Sequence, residues 1–200
     1  MVLVVAGAML GLSIGAGTAM AGEPRTHDGF FLRLSAGAGG ASSEIEVLDT
    51  DFEFSGGTGD INIAIGAVVA RNLAIHGTLF GWSSSNPDLD IEGLGSAEID
   101  GDLMMSAFGG GLTYYFMPVN IYLSGSLGAG SLEIDGDDDF EGESDTGIVG
   151  EITLGKEWWL GGSWGLGVAG AFGFHSIPDG EIDENWSGNN WAIRLSATLN

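Results

Sequence analysis

The stretch WGLGVAGAFGF, residues 164–174, decides the fold. Its even positions carry large apolar residues, with Gly170 as the exception, whereas every odd position is glycine or alanine. Because successive side chains of a β-strand point to opposite faces, the pattern predicts a strand with one bulky face and one small face. A face in contact with water would carry polar residues instead. The small residues therefore indicate a crowded interior, and the large residues face a second apolar environment.

The same two-residue period recurs in seven other segments of about ten residues, the length of a tilted transmembrane strand. Together the eight segments predict an all-β fold, an eight-stranded antiparallel up-and-down transmembrane β-barrel. A barrel of eight strands has an interior just wide enough to be filled by side chains. The seven segments are GFFLRLSAGA (29–38), DINIAIGAVV (60–69), LAIHGTLFGW (73–82), LMMSAFGGGLTYYF (103–116), IYLSGSLGAG (121–130), IVGEITLGKEWW (148–159) and WAIRLSATL (191–199).

The connectors between these strands alternate in length and in charge. Three are short, near residues 71, 117–120 and 160–163; four are long, at residues 42–59, 83–102, 131–147 and 176–189. All but four of the 28 acidic residues lie in the long connectors or directly beside them, the exceptions being Glu23, Asp28, Glu151 and Glu157. Short periplasmic turns and long extracellular loops are typical of outer-membrane barrels. We therefore predict long acidic extracellular loops and a location in the outer membrane.

Composition excludes several functions. The chain of 200 residues has a net charge of -23 and only 5 lysines and arginines, which argues against nucleic acid as a partner because phosphate binding needs clustered cations. It has no cysteine, which excludes disulfides, a thiol nucleophile and a cysteine-ligated zinc site.

The first 21 residues are apolar, rich in small residues, and end in Ala-Met-Ala. This pattern predicts a secretory signal peptide, residues 1–21, although its start has no lysine or arginine and a membrane anchor is the alternative. An N-terminal tail, residues 22–28, and the barrel, residues 29–200, would follow.

Two segments resemble a known family. GLTYYFMPVNIYLSGSLGAG (111–130) and LGKEWWLGGSWGLGVA (154–169) are similar to small eight-stranded outer-membrane β-barrel proteins of Gram-negative bacteria, the OmpA- and OmpX-like barrels. The resemblance spans residues 29–200, and GKEWW followed by WGLG looks like the signature of one subfamily. It implies residence in the outer membrane and roles in anchoring, adhesion, small pores or, occasionally, lipid chemistry.

Four charged residues fall at inward positions of the predicted strands: Arg33, Glu151, Glu157 and Arg194. Unpaired charges are costly in a confined interior, so we expect a structural ion-pair network that fills the lumen. The expected pairs are Arg194 with Glu151 and Arg33 with Glu157. The alternative is a gate that opens a narrow conductance.

Aromatic residues cluster at both ends of the strands, as interfacial girdles do. Near the short connectors these are Phe30, Tyr114, Tyr115, Phe116, Trp158, Trp159 and Trp164; near the long connectors they are Phe80, Trp82, Phe172, Phe174 and Trp191.

The long connectors support two further hypotheses. The segment EIDGDDDFEGESD (133–145) is consistent with weak divalent-cation binding, although it lacks the EF-hand spacing, and we predict no cofactor. The alternating pieces SEIEV (43–47), DFEF (51–54) and DLDIEG (88–93) predict hairpin extensions of the barrel wall, an acidic platform for an extracellular partner.

Catalysis has a weak basis in this sequence. His175 and Ser176, with Asp179 or Glu181 nearby, are the best candidates, but neighbouring strand residues face opposite sides. We therefore expect a monomeric, non-catalytic surface protein, structural or adhesive, in contact with outer-membrane lipid and lipopolysaccharide. The alternatives are a narrow channel for small or hydrophobic solutes and, less favoured, a lipid-modifying barrel enzyme.

Overall fold

A computed structural model describes residues 27–48, 50–91, 93–136, 141–180 and 184–199. The predicted signal peptide and residues 22–26 of the predicted tail lie outside these ranges. Within the described ranges, no helix is long and apolar enough to cross a membrane.

The described residues form eleven strands. They are β1 (Gly29–Val47), β2 (Thr50–Ala70), β3 (Leu73–Ser85), β4 (Asp88–Ile91), β5 (Gly95–Glu98), β6 (Gly101–Phe116), β7 (Ile121–Gly136), β8 (Glu141–Glu143), β9 (Gly147–Trp159), β10 (Trp164–Pro178) and β11 (Asn185–Leu199). Eight of them close a ring in the order β1-β11-β10-β9-β7-β6-β3-β2, and β2 pairs back with β1. Every pairing is antiparallel, so the predicted eight-stranded up-and-down barrel is confirmed.

The two faces of the wall differ as the two-residue period predicts. In β10 the odd positions are buried and the even positions are exposed along the whole strand. On the outer face, large apolar side chains such as Phe108, Leu127 and Leu195 are more than 60% exposed. An apolar surface that covers the outside of a closed barrel is the surface that faces lipid.

The small inner residues are required by close approach of the backbone. A Cβ at Gly39 would lie 1.7 Å from the backbone oxygen of Trp191, and a Cβ at Gly37 would lie 2.1 Å from that of Ile193. At Gly167 a Cβ would meet the Glu157 side chain at 2.8 Å. The strands therefore approach so closely that a side chain fits at only some inward positions.

The predicted long connectors consist largely of strands. β1 runs to Val47 and β2 begins at Thr50, so the segment expected as a connector, residues 42–59, is a hairpin with a tight turn at Leu48. β4 pairs with β2 and with β5, and β8 pairs with β7. The residues of the predicted hairpin extensions, 43–47, 51–54 and 88–91, lie in β1, β2 and β4. We call the described residues of 42–55, 83–103, 131–147 and 176–189 the rim.

Two apolar clusters lie inside the barrel, one at each end. The cluster at the short-turn end contains Phe31, Tyr115 and Tyr122, together with three alanines. The cluster at the rim end, which we call the rim core, is larger, and most of its members lie in the rim or beside it. They are Ile45, Phe54, Phe80, Trp82, Leu103, Met105, Ala107, Leu132, Val149, Ile177 and Trp186. A polar layer separates the two clusters, and it contains the inward charges.

Candidate functional site

Arg194 is the centre of the polar layer. Its guanidinium donates hydrogen bonds to both Asp60 and Glu151, including one of 2.8 Å from Nη1 to Glu151 Oε1 and one of 2.8 Å from Nη2 to Asp60 Oδ2. All three residues are at most 4% exposed. Asn62 and Thr153 donate to the same Glu151 oxygen at 3.0 and 3.2 Å. The planar fork of arginine suits this arrangement because it can serve two carboxylates at once.

The register of three strands explains why Arg194 reaches Asp60. Gly37 of β1 pairs with Asp60 on one side and with Arg194 on the other. Because Gly37 has no side chain, nothing stands between the guanidinium and the carboxylate. Sequence reasoning grouped Asp60 with an acidic connector and missed it. The signal was available, since Asp60 shares the inward parity of Asn62.

Arg33 does not form the expected ion pair with Glu157 among the described residues. Its Nη2 donates to Thr113 Oγ1 at 3.2 Å and to Ser124 Oγ at 3.1 Å, and its guanidinium carbon lies 4.3 Å from the centre of the Tyr122 ring. Arg33 thus reaches across the lumen to β6 and β7, where hydroxyl groups and a π-face replace the carboxylate as its partners.

Hydroxyl groups are also the hydrogen-bond partners of the Glu157 carboxylate. Thr198 donates to its Oε1 at 2.7 Å, and the Tyr115 hydroxyl donates to the same oxygen at 3.3 Å. The second carboxylate oxygen of Glu157 and the Nη1 atom of Arg33 are both buried without a hydrogen-bond partner. The four residues expected as one network are thus divided into separate groups.

His27 closes the short-turn end. It is 1% exposed, and its ring stacks on Tyr115 with 3.5 Å between centroids. Its Nε2 lies 2.7 Å from Asn120 Oδ1, and its backbone N–H donates to Asn72 Oδ1 at 3.3 Å. Asn72 and Asn120 occupy two short turns with positive φ, a conformation that asparagine tolerates. Sequence reasoning placed His27 in the tail without a role, because no periodic pattern marks it.

The rim core closes the other end of the lumen. Some aromatic residues that were predicted to form the interfacial girdles are buried inside the barrel instead. Phe80 and Trp82 are 5% and 2% exposed inside the barrel, and Tyr115 is fully buried at the short-turn end. All three occupy inward-facing positions of their strands, so their side chains lie inside the barrel although they are close to strand ends. Trp159 also turns towards the interior and lies 4.9 Å from His27 between ring centroids. The other predicted members are exposed on the outer surface: Phe30, Tyr114, Phe116, Trp158, Trp164, Phe172, Phe174 and Trp191.

Comparison with known proteins identifies structures with a similar fold. No family model matches the chain, and no curated protein matches it. Neisserial surface protein A superimposes with a TM-score of 0.57 at 14% identity, covering 85% of this chain and 96% of the other. The outer membrane protein OprG from Pseudomonas aeruginosa gives 0.50 at 14% identity, covering 86% and 96%. This chain has the fold of a small outer-membrane β-barrel. The expected location in the outer membrane agrees with that fold.

The residues expected for catalysis are not assembled in this outer-membrane barrel. His175 is buried while Ser176 is exposed on the opposite face, and Glu181 lies outside the described residues. Asp179 accepts a hydrogen bond from Trp186 Nε1 at 2.9 Å. His175 Nε2 instead lies 2.8 Å from Ser43 Oγ.

Ser43 and His175 have the spacing of a nucleophile and its base, yet the surroundings do not fit catalysis. Ser43 is fully buried and His175 is 3% exposed, so neither faces a solvent path. His175 Nδ1 has no hydrogen-bond partner, so no acid orients the ring. The pair joins the β1 extension to β10, and the His175 ring lies 6.3 Å from that of Trp82, a member of the rim core.

No cluster of three or more histidines and carboxylates suited to a metal ion is found in the described ranges. Residues 137–140 of the acidic segment proposed for weak cation binding lie outside those ranges.

A groove of about 600 Å³ indents the outer wall beside Gly110 and Gly125, between Leu112, Leu127 and Phe174. The pairing of β6 with β7 and of β7 with β9 continues through this region without a break. The groove is therefore a depression in the lipid-facing surface, and the hydrogen-bonded wall separates it from the lumen.

Proposed function

We propose that this chain is a non-catalytic surface protein of the outer membrane, in which the barrel anchors a structural or adhesive rim outside the cell. Residues 1–21 would direct export as a signal peptide. The short turns would face the periplasm and the acidic rim the exterior, as in other outer-membrane barrels.

The observation that carries the proposal is the apolar core of the rim. Ile177 is fully buried there, and Phe54 packs on Trp186 with 5.6 Å between ring centroids. Strands that only cross the bilayer do not need such a core, because about ten residues are enough to span it. The rim is thus a preorganised surface, and preorganisation lowers the cost of binding a partner.

The filled lumen favours a display function for this barrel over the transport of solutes. The short-turn end is filled by His27, Tyr115 and Tyr122, and the rim end is filled by the larger apolar cluster. Both layers would have to move before a solute could pass. We therefore expect planar-bilayer recordings without a steady conductance, and a large, steady conductance would contradict the proposal.

The decisive experiment shortens the rim and leaves the barrel intact. Ser42 pairs with Ser55, so residues 43–54 can be replaced by Asn-Gly, which closes a two-residue hairpin at that register. A matched control carries Asn-Gly in place of residues 161–162 at the opposite end. Folding is measured by the heat-dependent mobility of the barrel on gels, and function by the attachment of expressing cells to host cells and to abiotic surfaces.

We expect the shortened variant to fold and to lose attachment, whereas the control keeps it. Unchanged attachment by a folded, shortened barrel would contradict the adhesive function. Incubation of the parent barrel with lipopolysaccharide and phospholipid should release no acyl chains, and release would contradict the non-catalytic assignment.

A further inference from the structure

The sheet of the rim ends in an open edge. β5 pairs with β4 and, in the described part of the chain, with no other strand. All four of its residues, Gly95, Ser96, Ala97 and Glu98, are exposed. Native edges are commonly protected by short length, charged side chains, proline or a bulge. β5 is short and carries Glu98, but it contains no lysine or proline. It therefore presents backbone hydrogen-bonding groups that a further strand could use.

One face of this sheet carries aligned rows of carboxylates. The register pairs Glu46 with Asp51 and Asp88 with Glu98, and a third row runs from Glu44 through Glu53 to Asp90. All of these side chains are exposed. Like charges directly opposite each other on neighbouring strands are destabilising. The rim segments contain no lysine or arginine that could offset them.

The other face of the same sheet is apolar. Phe54 pairs with Leu89, and Leu89 pairs with Ala97, which forms one row from the rim core to the open edge. Phe54 is buried, Leu89 is half-buried and Ala97 is exposed, so burial decreases towards β5. A strand added at β5 would cover Ala97 on one face and lie beside Glu98 on the other.

From the open edge and the charge beside it, we infer that β5 binds an extended basic segment of a partner protein by strand addition. Because side chains alternate along a strand, the segment carries lysine or arginine at every second position and small or apolar residues between them. A second copy of this chain does not fit, because it would bring another acidic row against Glu98. The inference rests on the proposed display of the rim outside the cell.

Titration of a designed peptide onto the folded, full-length barrel in detergent tests the inference. The probe is an eight-residue peptide of alternating lysine and valine. One control peptide has the same sequence with N-methyl groups along one edge, which removes pairing and keeps the charge; another replaces lysine with glutamate. We expect the first peptide to bind, the N-methylated peptide to bind at least about tenfold more weakly, and the acidic peptide not to bind.

Variants locate the site. Glu98→Lys turns an attractive cross-strand pair into a repulsive one and should weaken binding of the basic peptide about tenfold. Glu133→Lys reverses one exposed rim charge on β7, a strand that does not pair with β5, and should weaken binding less than about threefold. Equal binding of the N-methylated peptide, or equal effects of the two substitutions, would overturn strand addition at β5. Concentration-dependent dimers whose affinity is changed by Glu98→Lys and not by Glu133→Lys would identify a second copy as the occupant and would also overturn it.

The outcomes separate this inference from the proposed function. If shortening the rim abolishes attachment while the basic peptide does not bind, strand addition fails and the adhesive function stands. If the peptide binds at β5 while the shortened variant still attaches, the edge site stands and the adhesive function fails.

Discussion

Replacing Arg194 with methionine tests the polar layer most directly. The guanidinium makes four hydrogen bonds to the carboxylates of Asp60 and Glu151, and all three residues are buried. Methionine keeps most of the volume and removes the charge. The variant therefore leaves two buried carboxylates side by side without a cation.

The magnitude follows from the number of charges left without a partner. Removal of one member of a buried ion pair costs about 3–5 kcal/mol, because the remaining charge is buried without compensation. Since two carboxylates remain here, we expect Arg194→Met to lower the free energy of unfolding by about 4–5 kcal/mol, the upper part of that range. Adding Asp60→Asn and Glu151→Gln to the variant should restore at least about 2 kcal/mol, because neutral amides replace the two charges.

The matched control is Arg33→Met. Arg33 is also buried, but its hydrogen bonds go to the hydroxyls of Thr113 and Ser124 rather than to a carboxylate. We expect a loss of at most about 2 kcal/mol, since no buried anion is left without its partner. Urea unfolding in lipid vesicles, followed by the fluorescence of the 6 tryptophans, measures both. A loss below about 1 kcal/mol for Arg194→Met, or a larger loss for Arg33→Met, would refute the reasoning.

Three further substitutions test the wall, the rim core and the buried serine–histidine pair. Gly39→Ala should prevent folding in detergent or slow it severely, because its Cβ would lie 1.7 Å from a backbone oxygen, whereas Gly125→Ala, with nothing within 4 Å, should fold as the parent does. Ile177→Ala should lower the free energy of unfolding by about 2–5 kcal/mol because it opens a cavity. It should also make the rim sensitive to subtilisin, which does not require lysine or arginine at the cleavage site, while the transmembrane wall stays protected. Ser43→Ala should cost about 1–3 kcal/mol in urea unfolding, because it removes the partner of buried His175, and it should leave attachment unchanged.

The strands and their two faces were predictable from the sequence. Each ring strand shows its period over at least nine residues, and a shift of one residue would exchange the lipid-facing and lumen-facing sets. β6 shows the same alternation, with Met104 and Phe108 exposed on the outer face and Met105 and Ala107 buried inside. The alternating pieces in the long connectors predicted the strand extensions for the same reason.

The partners inside the lumen were harder to predict. The alternation along each strand predicts that Arg33, Glu157 and Asp60 face inward. It does not predict at what height, or on which side of the barrel, each of them meets another group. Arg33 and Glu157 form hydrogen bonds with hydroxyls from other strands rather than with each other. Asp60 reaches Arg194 because Gly37, which has no side chain, separates them. Likewise, the position of Trp82 near a strand end suggested a girdle, whereas its inward parity places it in the rim core.

The sequence by itself determined a closed barrel with an apolar outer surface and an acidic rim, because alternation and loop charge are local properties that repeat along the chain. The tertiary structure decided which inward groups meet, where the lumen is closed and which carboxylates align beside the open edge of β5. Those features depend on the register between strands far apart in sequence, and a register between distant strands leaves no mark in either strand alone.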